Sequence, residues 1–186
     1  MIEKINIIRL KIDGTDVFIE DLGDGKGKVT ISNIYGHNYS HYWGAMGSNI
    51  LDFIIRINSE YFADKLLGYV SMYSYDDRKT FANLRKHIQN EILPWYKHLE
   101  FQSDMRQKLN EFQSECNTEN DFVDKFQYFI NGLDYYLISD RFDRESIESE
   151  FKSISEPWGF LGDKPSDKYL WLINLHKKII KKLKKM

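Results

Sequence analysis

Histidines and carboxylates come nearest to a reactive arrangement at His87, Glu91 and His98, where offsets of four and eleven residues return to nearly the same face of a helix. Side chains of these types on one face can share a metal ion or pass a proton. Pro94 interrupts that face, and neither an HExxH pattern nor a further ligand cluster accompanies it. An exposed helix surface with an i,i+4 pair is the simpler reading. His37 and His41 sit in a strand-like stretch, where residues four apart stand about 13 Å from one another, too far to share one ion. Cys116 is the single cysteine; Ser114, Glu115, Asn117, Thr118 and Glu119 offer it no base, and nearby carboxylates raise a thiol's pKa, so an inert thiol is expected. The chain has no GxSxG, GxGxxG, DxDxDG or CxxC. No catalytic residue, cofactor or metal is therefore assigned, and a binding protein is favoured over an enzyme.

Between strand-like and helix-like sequence lies Tyr42-Trp43-Gly44-Ala45-Met46-Gly47. Its glycines permit a tight turn, and a helix opening behind Ser48 would expose N–H groups to an anion. The GxxxxGK[ST] spacing is absent, however, and no lysine occurs between Lys28 and Lys65. The segment reads as a strand-to-helix corner plugged by Trp43 and Met46.

The net charge of −2 conceals an asymmetry. Residues 168–186 hold seven lysines and no acid, residues 1–99 hold twelve charges of each sign, and residues 100–167 hold sixteen acids against seven bases, a net of −9. A block of that sign repels nucleic acid and suits a basic partner surface; a solvated helical face balanced by the lysine tail is the plainer account. The candidate partner-binding residues are Glu111, Glu115, Glu119, Asp121, Asp124, Asp140, Asp143, Glu145 and Glu148 of this block, with Tyr42 and Trp43 at the corner. The lysine-rich end carries apolar residues at helical spacing. It is expected to pack that stripe on the body with its lysines toward the acidic helices, the alternative being an anionic membrane or a nucleic-acid backbone.

The elements that must position these residues follow from periodicity. Ile5 and Ile7 share one strand parity while Ile8, Leu10 and Ile12 share the other, a slip that predicts a bulge near Ile7-Ile8. Asp13-Gly14 predicts a hairpin into Val17-Phe18-Ile19, residues 23–27 a second turn, Lys28–Ser32 a third strand, and Tyr39, His41 and Trp43 one face of a fourth. From Ser48, an expected N-cap, the period becomes helical, with Gly68, Asp76, Thr118, Asp143 and Ser166 as further stop or start signals. The fold class is α+β: an N-terminal antiparallel β-meander of about four strands followed by a mostly helical remainder. Residues 1–68 form the β-rich part with the first helices and residues 69–186 the helical part of one compact domain. A lone cysteine, the absence of a signal-like N-terminus and the absence of a twenty-residue apolar run lead to a cytoplasmic expectation.

The segment Gly27-Lys28-Val29-Thr30-Ile31, then Tyr42–Gly47, Phe53 and Tyr61-Phe62-Ala63-Asp64-Lys65-Leu66, resembles small uncharacterised proteins encoded by phages and prophages, over residues 26–68. The resemblance implies an accessory protein that binds and inhibits host machinery, such as a CRISPR effector, and carries over no site residues. With the acidic block and the missing catalytic motifs, the expectation is a non-enzymatic phage or mobile-element protein acting by protein–protein binding. In that reading it is an anti-CRISPR-like inhibitor of a host defence complex, whose acidic helices block a basic nucleic-acid channel. An immunity-type protein that neutralises a toxin, and an enzyme with a site at His87 and Glu91 or around Trp43, remain alternatives. The partner expected is a host or cognate protein with a basic surface. No membrane is expected, and nucleic acid is expected only at the lysine-rich end.

Overall fold

Alternation of β-branched residues over the first forty positions becomes a four-stranded antiparallel sheet in the computed structural model, which describes residues 6–33, 36–68, 71–95 and 98–186. Strands β1 (Asn6–Ile12), β2 (Thr15–Gly23), β3 (Lys26–Asn33) and β4 (Asn38–Trp43) lie in sequence order. Asp13-Gly14 and Asp24-Gly25 make the first two connections, all four residues at positive φ. Two-residue turns of that hand match the twist of the strands. The bulge expected near Ile7-Ile8 is not there: pairing runs unbroken from Asn6↔Asp21 to Ile12↔Thr15, and the register shift falls at Asp21/Gly23. Ile7 takes the outward parity and stays 56% exposed, which absorbs the slip without an extra residue.

Helices α1 (Ile50–Arg56) and α2 (Ser59–Leu67) follow, capped by the side chains of Asn49 and Asn58. The cap of α1 is Asn49, one residue beyond the Ser48 expected. Among the described residues seven α-helices follow the sheet, continuing with α3 (Asp77–His87), α4 (Leu99–Glu115), α5 (Glu119–Asn131), α6 (Arg141–Ser153) and α7 (Asp167–Leu183). Asp140, not Asp143, caps α6 by accepting from the Asp143 N–H at 2.9 Å. The chain is thus α+β, with the sheet first. No helix among the described residues is long and apolar enough to cross a membrane.

Two compact units result, Met1–Ser74 with Pro165–Met186, and Tyr75–Lys164. This division differs from the line drawn at 68/69. The stripe of α7, formed by Tyr169, Leu172, Leu175, Ile179 and Leu183, belongs to the apolar cluster of the sheet, α1 and α2. Its length therefore returns the end of the chain to the first unit, where Ser166 closes the junction by donating from its N–H to the Met72 carbonyl (2.8 Å) and from its hydroxyl to the Ser71 carbonyl (2.7 Å). Lys178 of the lysine tail pairs with Asp13 in the first hairpin. His176 lies within the same stripe, fully buried.

The second unit has its own core, rich in phenylalanine, gathered from α3 to α6. In it Phe112 stacks on Phe122 and Phe129 at centroid distances of 5.4 and 5.1 Å, and Phe81 meets Phe112 edge-on at 5.0 Å. After α3 the chain widens into a π turn (Ile88–Ile92) and then a 3-10 turn (Leu93–Trp95) at Pro94.

Candidate functional site

Helices α4 and α5 are joined by only three residues, and both turn phenylalanines inward. The start of α5 is set by a reciprocal cap: Thr118 Oγ1 accepts from the Asp121 N–H at 3.1 Å while the Asp121 carboxylate accepts from the Thr118 N–H at 2.9 Å. Where the two helices part, a groove of about 490 Å³ opens, lined by Phe112 and Phe129, by Tyr128, and by Lys108, Glu111, Glu115 and Lys125. Phe112 and Phe129 are buried parts of the core, whereas Tyr128 is 79% exposed.

The charges at this groove are not equivalent. Lys125 donates to the carbonyl of Glu115 at 3.0 Å, with the Glu115 carboxylate at 3.5 Å. Lys108 donates to the carbonyl of Gly132 and pairs with Asp104 at 3.3 Å. Both ammonium groups thus sit on carbonyls at helix C-termini, where the helix dipole favours them. Glu111 takes a hydrogen bond from Gln107 at 2.9 Å, and the Glu115 side chain remains 63% exposed. The groove therefore offers an apolar floor, an aromatic wall and two carboxylates at its edge. Lys108 and Lys125 line it as well, so its charged edge carries two bases beside the two acids.

The remaining acids of the expected set are distributed elsewhere. Hydrogen bonds from Thr118 and Asn117 hold the Asp121 carboxyl below its usual range, so it serves the cap. Asp140 caps α6. Asp143 accepts a bond from His98 Nε2 at 2.9 Å, or gives that nitrogen its counter-charge when protonated. Glu145 pairs with Arg141 at 2.7 Å and Glu148 with Lys152; these four line a separate polar hollow of about 430 Å³ with Tyr136 and Arg144. Glu119 and Asp124 are exposed on α5. Glu111 and Glu115 thus line the groove, Glu145 and Glu148 line the hollow, and the other five acids line neither. At the corner, Tyr42 is 51% exposed, but Trp43 is only 5% exposed. Its ring packs on Phe53, Phe62 and His41, with centroids 5.7, 6.3 and 4.6 Å away. Trp43 is therefore withdrawn from the partner-binding set: it plugs the sheet–helix corner.

The three residues with catalytic spacing part company. His87 lies against Phe160 at 5.2 Å, Glu91 is exposed in the π turn, and His98, beyond the break at Pro94, turns to Asp143. The His98–Asp143 pair is 45 residues apart in sequence, and no spacing rule finds it. His41 is held below its ordinary pKa by burial, reinforced by Lys65. Burial pushes the Cys116 thiol up to about 11, which keeps it protonated and weakly nucleophilic. No group of three or more potential ligands is placed to hold a metal ion among the described residues.

Comparison with known proteins gives one positive result: the model of a phage family matches residues 1–185. Neither the curated proteins nor the solved structures contain a match.

Proposed function

The chain belongs to a phage family, and from that premise we propose that it is a non-enzymatic phage accessory protein that acts by binding a basic partner protein. In this reading the partner is a host defence complex, inhibited in the anti-CRISPR manner. The observation that carries the proposal is the groove between α4 and α5, where Glu111 and Glu115 stand beside the exposed ring of Tyr128 over an apolar floor. The unit that contains it holds eighteen acids and twelve bases, a net charge of −6, which steers a basic surface toward it over a distance of about a Debye length. Aromatic rings and carboxylates are the groups on which an arginine side chain stacks and with which it pairs.

The test is affinity capture from the host with the wild-type chain and with a Glu111→Lys/Glu115→Lys/Tyr128→Ala variant, both checked by circular dichroism melts. One stable partner with a basic surface is expected with the wild type and none with the variant, at an unchanged melting temperature. Equal retention by the variant overturns the acidic-groove mechanism. A toxin as the captured partner moves the protein to the immunity class.

A further inference from the structure

We infer that the outward face of α7 is a ridge for the phosphate backbone of duplex nucleic acid. The inference is independent of the groove, which lies in the other unit. One face of α7 is consumed by the core through Tyr169, Leu172, His176 and Ile179. The opposite face presents Lys177, Lys178, Lys181 and Lys182, the turn that follows adds Lys184 and Lys185, all six are exposed, and no acid occurs from residue 168 onward.

Two of these lysines are tied to the first hairpin: Lys178 pairs with Asp13, and Lys182 donates to the Lys11 carbonyl at 2.6 Å. The second bond sets the Lys182 head beside the backbone of another exposed lysine, adding charge of the same sign. Among the described residues, the ammonium groups of Lys177, Lys181, Lys184 and Lys185 engage no protein group. Lys177, Lys181 and Lys184 follow one another at helical spacing on one face, in steps of about 5–6 Å. A DNA strand presents a phosphate for about every 3.4 Å of its axis, so each head has one within reach. The whole unit holds fourteen bases and ten acids, a net charge of +4, opposite in sign to the other.

The same geometry argues against the other polyanions. A helix that lies on a membrane puts its apolar face into the lipid, and here that face is already buried against the sheet and α2. Unpaired bases are held by exposed aromatic rings. The tryptophan of α7, Trp171, is half-buried and packs toward Tyr39 at 6.0 Å. What is left is sequence-independent contact with a duplex backbone.

The experiment is fluorescence anisotropy of the full chain with a labelled 20-base-pair DNA duplex of arbitrary sequence, at 50 and 200 mM salt. Binding that ignores sequence and weakens about a hundredfold between the two conditions is expected for four phosphate contacts. Lys177→Glu/Lys181→Glu/Lys184→Glu/Lys185→Glu should abolish it. The neutral set with Gln at the same positions, which spares the fold if the reversal does not, should lose at least about tenfold. The Glu111→Lys/Glu115→Lys/Tyr128→Ala variant should bind the duplex at least as well as the wild type. No affinity of the wild type at 50 mM salt, full affinity of the Gln set, or binding to phosphatidylglycerol vesicles in place of the duplex would each overturn the inference.

Discussion

His176 Nε2 donates to the carbonyl of Ile54 at 3.0 Å, which assigns the tautomer: Nδ1 is left to accept from the Ser59 hydroxyl, also at 3.0 Å. The ring stacks on Phe62 with centroids 4.2 Å apart. Burial disfavours the charged ring and lowers its pKa to about 4.

Acid should therefore weaken the sheet unit in a defined window. The unfolded chain takes up this proton near pH 6.5 and the folded chain only near 4, so the contribution is complete above 6.5 and is lost as pH falls toward 4. The loss is on the order of 3 kcal/mol. Hydrogen exchange of the sheet amides at pH 7 and pH 4 measures it. His176→Gln, which keeps a donor but does not titrate, should be less stable at pH 7 and should lose clearly less than the wild type between the two pH values. An equal loss would show that this ring is not the titrating group.

Gly27 is required by the close approach of α1. A Cβ there would overlap Ile50 Cδ1 and stand 2.9 Å from Ile50 Cβ. Gly27→Ala should cost about 1–3 kcal/mol by overpacking. Adding Ile50→Val, which removes the nearest atom, should recover part of that cost in a double-mutant cycle followed by urea denaturation.

Thr118→Ala should destabilise the helical unit by about 1 kcal/mol through loss of the cap at the Asp121 N–H. Ser114→Ala, at an exposed position near the end of α4, should stay within about 0.5 kcal/mol. Denaturant midpoints of the two variants distinguish a cap from a general sensitivity of this region.

Cys116 is buried, with its thiol protonated at neutral pH. Iodoacetamide should modify it at pH 7.5 at least about a hundredfold more slowly in the native chain than in urea, because reaction waits for the helical unit to open. Fast native labelling, followed by mass spectrometry, would contradict the placement.

How much of this could be read from the chain alone depends on the range of the interaction concerned. Asp13-Gly14, Thr118 with Asp121, Ser166 and Gly68 act within four residues, and each stands where its chemistry places it. The misses at helix starts are of one kind: Ser48 and Asn49, or Asp140 and Asp143, are competing oxygens within one turn, and which of them reaches the third N–H depends on where the packed helix begins. In the candidate site, the sign of the acidic block is a property of composition. Which acids face a groove, which hold a cap, and whether Trp43 is exposed are not.

By itself, then, the sequence determined an antiparallel meander, the helices behind it, and the opposite charges of the acidic block and the lysine tail, because turn geometry, helical period and composition are local properties. Only the tertiary structure decided that α7 joins the sheet and leaves the acidic helices a core of their own, that His98 meets Asp143, and that α4 and α5 part into a groove beside Tyr128. An apolar stripe specifies that it must be buried, not against what; that choice rests on shape complementarity between elements far apart in the sequence, His176 and Ile54 being 122 residues apart, which no local pattern records.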